Sequence, residues 1–153
     1  MIIIMKLVNI NYHCELVGGL KTLKFSPSTP YQSVIRVPGK YTLIVFPSGR
    51  GRLMGIKSPL TSAIVTVGAV SVRVGSIQSA TVVVNMQRTY DLHDVAKKLQ
   101  VMYEPELFPA ARVLKFNPLC VNLFCSGKVV ITGLKTFHYY KQVEQIIKSL
   151  ENV

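Results

Sequence analysis

Two basic residues of this chain lie in the same local pattern, in which a phenylalanine stands four positions before the charge and a Ser-Gly pair lies between them. The two segments are Phe46-Pro-Ser-Gly-Arg50 and Phe124-Cys-Ser-Gly-Lys128. A positive charge at the end of a hairpin suits a negatively charged polymer, whereas a merely solvated turn is the alternative interpretation. The chemistry that these residues favour is therefore binding of a polyanion.

The charge balance of the whole chain points in the same direction. Its 153 residues include 18 Lys and Arg against 7 Asp and Glu, which gives a formal net charge of +11. Up to Ser76 the only acid is Glu15, against nine basic residues. The basic residues lie in strand-like stretches and form no basic amphipathic helix, so a nucleic acid is favoured over a membrane surface.

Catalytic and metal-binding patterns are absent from the sequence. The histidines, His13, His93 and His138, are isolated, and no carboxylate pair, nucleophile elbow or phosphate-binding glycine loop accompanies them. The three cysteines form no Cys-x-x-Cys pair, which argues against a zinc site and a disulfide framework. We therefore expect no enzyme activity, no cofactor and no metal, and a reduced intracellular setting.

The segments that contain the two basic residues are themselves similar to each other over eighteen positions. Tyr41–Ser58 can be laid over Leu119–Thr136 without a gap, so that the phenylalanines and the Ser-Gly pairs coincide. Alternating runs on both sides of each Ser-Gly pair predict a β-hairpin with one packed face and one free face. We place Phe46 and Phe124 on the free face. The copies predict two repeats, residues 1–68 and 69–153, within a single domain.

The remaining periodicities predict a sheet with few helices. Strands are expected near 2–10, 33–37, 41–47, 51–56, 70–75, 77–86, 111–116, 119–125 and 128–132. Asp91 caps one amphipathic helix that reaches Met102, and Thr136 opens another that reaches Leu150. In the first half, Ser58-Pro59 begins a short or frayed helix that runs into the β-branched residues 64–67.

Two motifs of the second half resemble the second repeat of the TATA-box-binding protein (TBP) family. They are Tyr103–Pro109 (YEPELFP) and the hairpin Phe124–Lys135 (FCSGKVVITGLK). The first half is more diverged but is similar at Phe46–Arg50 and Gly55–Lys57, so that the resemblance covers nearly the whole chain. It implies an α+β saddle, in which a continuous curved antiparallel sheet from two pseudo-symmetric halves carries helices on its convex face.

The resemblance also implies that the concave face binds and bends A·T-rich double-stranded DNA through the minor groove. The wedges that enter base steps would be Phe108 with Phe124, and Phe46 with Tyr31 in place of the usual Phe; ordinary packing is the alternative for these rings. The implied DNA-binding set is Tyr31, Phe46, Arg50, Arg52, Ser79, Thr81, Phe108, Asn122, Phe124, Lys128, Val130 and Thr132.

The first repeat departs from the family pattern in its polar residues. The Asn near the start of each repeat is missing, with Ser79 in the second repeat and, in our alignment, Met5 in the first. Arg52 and Met54 stand where Val and Thr are usual. We therefore expect minor-groove binding with weakened or altered TATA preference. The alternative is a protein-interaction module of the same fold with weak or no sequence-specific DNA binding.

The acidic loop is implied to bind a protein. By resemblance, Glu104, Glu106 and Leu107 dock a general transcription factor of the B type that links the promoter to RNA polymerase; a structural turn fixed by Pro105 and Pro109 is the alternative. The resemblance further implies a nuclear site, or the intracellular site of viral transcription, and a monomer on DNA that can pair with a second copy when free. The compact first repeat suggests a virus-encoded member, which the identity of the neighbouring genes would test.

Overall fold

The computed structural model describes residues 4–136 and 138–153. The chain divides into two compact units. The first, here called the N-terminal unit, is Val8–Ser79; the second, the C-terminal unit, consists of Ala80–Val153 with the residues up to Leu7. Each unit is built on antiparallel strands.

The N-terminal unit is formed almost entirely by strands. They are β1 (Met5–Gly18), β2 (Ser33–Val37), β3 (Tyr41–Val45), β4 (Arg50–Ile56), β5 (Ile64–Val67) and the first part of β6 (Val70–Asn85). The hydrogen-bonded order is β2-β3-β4-β1-β6, with β5 on β6. A 3-10 turn at Leu20–Thr22 follows β1.

One face of these strands forms the core of the unit. Alternate residues in the middle of β1 are buried, namely Ile10, Tyr12 and Cys14, and β3 and β4 contribute Leu43 and Leu53, which have no exposed surface. This period of two is the strand geometry that the sequence alternation predicts. The intervening residues of the same strands are exposed or half-buried, so that the opposite face is open.

The helix predicted to begin at Ser58-Pro59 is wrong. Residues 8–79, all of which the structure describes, contain no α-helix, and Ile64–Val67 instead pairs with the start of β6. The reason is the run of β-branched side chains, which lose rotamer freedom in a helix and fit a pleated strand. The segment before β5 lies near the core, because Leu60 donates its backbone N–H to the Tyr12 hydroxyl at 3.1 Å.

The C-terminal unit combines strands with both α-helices of the described residues. Its elements are the end of β6, α1 (Leu92–Lys98), β7 (Val101–Met102), β8 (Ala110–Val113), a 3-10 turn (Leu114–Phe116), β9 (Cys120–Phe124), β10 (Lys128–Leu134) and α2 (Tyr140–Glu151). The order is β6-β10-β9-β8-β7, and each neighbouring pair is antiparallel.

The core of this unit lies between the helices and one face of its strands. On the strands, the buried residues alternate, as Val82 and Val84 do on β6 and Val129 and Ile131 do on β10. On α2 the buried residues recur at helical spacing, namely Val143, Ile146, Ile147 and Leu150. The hydroxyl of Tyr90 donates to the Leu150 carbonyl at 3.1 Å, which ties the end of α2 to the loop after β6.

The predicted helix boundaries are confirmed in part. Asp91 caps α1 as predicted, since its carboxylate accepts the backbone N–H groups of His93 (3.0 Å) and Asp94 (3.3 Å). The helix ends at Lys98, short of Met102. Thr136 does not open α2, which begins at Tyr140; its hydroxyl instead accepts the N–H of His138 at 3.1 Å.

Most predicted strands are confirmed, with changes at their ends. β2 has the predicted bounds, whereas β1 continues to Gly18 and the strands predicted near 70–75 and 77–86 form the single strand β6. The predicted strand near 111–116 ends early, in a 3-10 turn. Residues 2 and 3, where the first strand was expected to begin, lie outside the described residues.

The turn between β9 and β10 generates a stability prediction. Gly127 and Gly133 both have positive φ, 91° and 100°, but a Cβ on Gly127 would overlap the Arg88 carbonyl, whereas one on Gly133 would meet only ordinary contacts. We expect Gly133→Ala to lower the free energy of unfolding by about 1–2 kcal/mol, the cost of left-handed backbone. Gly127→Ala should cost clearly more, because the backbone of Arg88 must move. Equal losses in urea unfolding would contradict this account.

Candidate nucleic-acid interface

The open face of the C-terminal unit brings together the residues predicted from its hairpin. Lys128, Val130 and Thr132 alternate with the buried residues of β10 and therefore point away from the core. In register, Val130 lies opposite Asn122 on β9, and Thr132 lies opposite Thr81 on β6. The sequence alternation thus predicted the correct face for the strands on both sides of β10.

Two phenylalanines form an aromatic pair at the edge of this face. The Phe108 and Phe124 ring centroids are 6.1 Å apart with an interplanar angle of 63°, an edge-to-face arrangement. Phe108 remains 43% exposed, although a ring of this size is usually buried in a core. The Lys128 Nζ is 6.0 Å from the centroid of the Phe124 ring. A pair of partly exposed aromatic rings and a cation therefore lie side by side.

Polar side chains line the middle of the same face. The Thr81 hydroxyl donates to the Thr132 hydroxyl at 3.3 Å, across the β6 and β10 pair. Asn122 is half-buried, and its Oδ1 has no hydrogen-bond partner within the described residues. These groups remain available to a ligand that supplies hydrogen-bond partners.

The open face of the N-terminal unit is richer in arginine. Phe46 lies on this face as predicted, with the Arg52 guanidinium carbon 6.0 Å from its ring centroid. Arg50 and Arg52 alternate with buried Gly51 and Leu53 on β4. Both guanidinium groups are therefore on the free side of the strand.

Tyr31 does not repeat the arrangement of Phe108. It is 63% exposed in the irregular segment before β2, and no aromatic ring of the described residues pairs with it. Ser79, on β6 in the N-terminal unit, is half-buried. The structure thus brings together Phe108 and Phe124, which were predicted as one pair of wedges, and leaves the N-terminal unit with one phenylalanine on its open face, Phe46, and a separate tyrosine.

The alignment that placed Met5 at the missing Asn position is wrong. In the ladder between β1 and β4, Ile10 faces Ile56 and Tyr12 faces Leu53. In the ladder between β6 and β10, Ala80 faces Leu134 and Val82 faces Ile131. In each ladder the register shifts between the two residue pairs named here. Because β4 and β10 are the matching strands of the repeated hairpin, Asn9 corresponds to Ser79 and Asn11 to Thr81.

Two asparagines therefore belong to the open face of the N-terminal unit. Asn9 Nδ2 lies 3.4 Å from Asn11 Oδ1, which also accepts the backbone N–H of Gly55 at 3.2 Å. Both line a depression of about 500 Å³ with Arg36 and Met54 among its walls. The signal that reveals them is the alternation of Ile10, Tyr12 and Cys14, which sends the odd-numbered residues of β1 outward.

The acidic loop between β7 and β8 is exposed. The Glu104 carbonyl accepts the N–H groups of Leu107 (2.9 Å) and Phe108 (3.0 Å), which fixes a turn. Leu107 is 79% exposed, and both Glu104 and Glu106 are exposed as well. A large apolar side chain that follows two carboxylates is thus presented on a defined turn.

Other classes of site find no support in the described residues. Residues 4–136 and 138–153 hold no group of three or more His, Cys, Asp or Glu residues that could bind a metal ion. No helix in the same residues is long and apolar enough to cross a membrane.

Antiparallel units with an open face of cations, aromatic rings and amides define a nucleic-acid-binding class of protein. Comparison with known proteins specifies the class further. The family model described as transcription factor TFIID (or TATA-binding protein, TBP) matches residues 75–153, more than half of the chain. The chain therefore belongs to the TBP family, and it is a TBP-like DNA-binding transcription factor.

A solved structure supports the same assignment over almost the full length. The TBP of Methanococcus jannaschii is 26% identical to this chain, with a TM-score of 0.77 over 97% of this chain and 99% of that one. A comparison with curated protein sequences finds no significant match. The α+β fold class expected from the resemblance is confirmed.

The assignment of faces on β1 generates a chemical prediction. Cys14 lies on the buried face, and burial raises the pKa of its thiol to about 11, whereas Cys125 is exposed. Because the thiolate is the nucleophile, we expect Cys125 to react rapidly with a thiol reagent at pH 8 and Cys14 to react only after unfolding. The measurement is peptide mapping after timed alkylation. Comparable rates for the two would contradict the assignment of faces.

Proposed function

We propose that the protein binds promoter DNA in the minor groove, bends it, and recruits the transcription machinery. The observation that carries the proposal is the Phe108 and Phe124 pair beside Lys128 on the open face of the C-terminal unit. Two large rings left partly exposed next to a cation are poorly explained by packing and well explained by insertion between base pairs next to a phosphate.

The aromatic pair would act as a wedge. Unstacking a base step costs about a few kcal/mol, a magnitude established for this family of minor-groove binders, and the contacts that the bent duplex allows offset it. Flexible pyrimidine–purine steps, such as those of TATA, deform most readily. Affinity for such sequences therefore follows from the deformation energy as well as from direct contacts.

Polar groups next to the wedge would contact base edges. A·T pairs present only acceptors in the minor groove, the adenine N3 and the thymine O2. The Thr132 and Thr81 hydroxyls lie 3.3 Å apart on the open face, so the pair can direct a donor outward. In the N-terminal unit, Asn9 and Asn11 supply amide groups at the positions that correspond to Ser79 and Thr81. The N-terminal unit therefore does carry polar side chains near the start of its first strand, where the sequence alignment had predicted that the asparagine of the family is missing.

The N-terminal unit would contribute mainly through charge. Arg50 and Arg52 lie on its open face, and a guanidinium can enter a narrow A·T-rich minor groove or bind phosphate. The contribution of such contacts depends on salt and only weakly on sequence. We infer that residues 1–68 and 69–153 are two repeats with different tasks, because their ladders match while their open faces differ.

The wedge generates the central test of this function. We expect the Phe108→Ala/Phe124→Ala variant to bind a TATA duplex roughly 10- to 100-fold more weakly than the wild type, since stacking contributes about 1–3 kcal/mol per base. Its preference for TATA over an equally long G·C-rich duplex should disappear. Fluorescence anisotropy of both duplexes across a salt series measures both effects.

The control removes an aromatic side chain from the helical side. Tyr140 is 57% exposed on α2, and Tyr140→Ala should leave both affinities unchanged. Equal, steeply salt-dependent binding of both duplexes by wild type and double variant would show that charge alone acts. The protein-interaction module would then be the better account of the fold.

We also propose that the acidic loop docks a general transcription factor of the B type on the DNA-bound protein. The proposal is supported by the exposure of Leu107 directly after the exposed Glu104 and Glu106, which suits a partner with a basic surface and an apolar pocket. The loop follows β7 and leads into Phe108, so a partner held there would lie close to the wedge.

The loop predicts a separation of the two activities. Leu107→Ala and Glu104→Lys should each reduce formation of the ternary complex with the B-type factor at least 10-fold, because an interface anchor and a charge pair are lost. Binding of DNA alone should remain close to wild type for Leu107→Ala. Gel-shift titration with and without the factor measures both. Unchanged ternary complexes would leave the turn with a structural role only.

A further inference from the structure

A second basic site, which includes Arg73, lies in the N-terminal unit. It is a groove of about 420 Å³ whose walls include His13, Glu15, Arg50, Arg73, Gly75 and Ser76. Two arginines, a histidine and a serine therefore line the groove, against a single acidic residue. Arg73 belongs to none of the positions that the resemblance implied.

The two arginines of this groove have unused hydrogen-bonding capacity. Both side chains are exposed, and the single ion pair among the described residues joins Lys98 and Asp94 at 2.9 Å. Glu15 lies opposite Arg50 in the ladder between β1 and β4 without forming an ion pair. With the imidazole neutral, the groove still carries one net positive charge.

The added strand β5 extends the open face around Arg73. In register, Ile64 faces Arg73 and Thr66 faces Ser71, and the two hydroxyls of the latter pair are 2.9 Å apart. Val70 and Val72 of the same stretch are buried, so Ser71 and Arg73 point to the opposite, open side. The hairpin of β5 and β6 thus brings hydroxyl donors next to a guanidinium.

The geometry of the groove suits a phosphate diester. Arginine presents paired N–H donors in a planar fork that matches phosphate oxygens, and hydroxyls and backbone N–H groups are frequent additional donors. Gly75 carries no side chain, and a Cβ there would lie 3.2 Å from the His13 carbonyl oxygen, so glycine lets the backbones of β1 and β6 lie close together beneath the groove.

We propose that Arg73, together with Arg50, binds a backbone phosphate of the DNA and that the β5 and β6 hairpin widens the footprint of the N-terminal unit. This inference rests on the proposed DNA-binding function. Along β6, Arg73 is six residues from Ser79, which at a strand rise of about 3.3 Å per residue corresponds to roughly 20 Å. The contact would therefore reach DNA that flanks the segment contacted near Ser79.

The test compares Arg73 variants with a variant of equal charge change elsewhere. Fluorescence anisotropy of a 30-base-pair duplex with a central TATA element is measured across a salt series for wild type, Arg73→Ala, Arg73→Lys and Glu15→Gln. Lys141→Ala is the matched control, because it removes one exposed positive charge from α2. Far-ultraviolet circular dichroism and thermal melting establish that each variant is folded.

If the groove binds phosphate, removing its positive charge at Arg73 and removing its negative charge at Glu15 should have opposite effects on the affinity for DNA. Arg73→Ala should weaken binding several-fold and reduce the slope of log K against log salt by about 0.9, the value of one lost phosphate contact. Arg73→Lys should keep the slope and lose part of the affinity, since the planar fork is gone. Glu15→Gln should strengthen binding, because a carboxylate that repels phosphate is removed. Lys141→Ala should change neither affinity nor slope.

The outcomes separate this inference from the proposed function. If the Phe108→Ala/Phe124→Ala variant loses TATA preference while Arg73→Ala behaves like Lys141→Ala, the phosphate site is overturned and the wedge function stands. Weaker binding by Glu15→Gln would also overturn it, because the carboxylate would then support binding. If the wild type binds no duplex DNA, both proposals fail together.

Discussion

The alternation of side chains along β9 and β10 is the constraint on which the rest of the structure depends. Leu123, Val129 and Ile131 have no exposed surface, and burial of such a set is the dominant stabilising contribution to a unit of this size. Since a strand turns successive side chains to opposite faces, packing these residues directs Asn122, Val130 and Thr132 outward. A register slip of one residue would bury the polar set and expose the apolar one. The open face is thus a geometric consequence of the core.

The two units use this constraint differently. In the C-terminal unit, helices cover the packed face, and the open face combines aromatic rings and hydroxyls with the cations Lys128 and Arg112. In the N-terminal unit, the open face carries arginines and asparagines. Rings and hydroxyls distinguish base sequences, whereas guanidinium groups respond chiefly to charge and groove width. Under the proposed function, the C-terminal unit would contribute mainly selectivity and the N-terminal unit mainly electrostatic attraction.

Much of this arrangement could be predicted from the sequence, for identifiable reasons. The repeated hairpin and the cap at Asp91 are local patterns, and they predicted β3, β4, β9, β10 and the start of α1. The helix expected after Ser58 failed because its cap signal was weaker than the preference of residues 64–67 for a strand. Asn9 was missed because its correspondence to Ser79 depends on cross-strand register, which passes through an irregularity in both ladders. Arg73 was missed because its neighbours on β1 and β4 are distant in sequence.

The strand β5, which lies where the sequence predicted a helix, has a consequence for the behaviour of the protein in solution. β5 is hydrogen-bonded to β6 on one side and is otherwise an edge strand. Its four residues, Ile64 to Val67, are all β-branched and uncharged, and Ile64 is 50% exposed. Edges of this kind can template pairing with another chain, and proteins commonly limit the hazard with charge, proline or short length. Here only the brevity of the strand provides that protection, so lengthening this hairpin by even a few apolar residues would favour aggregation.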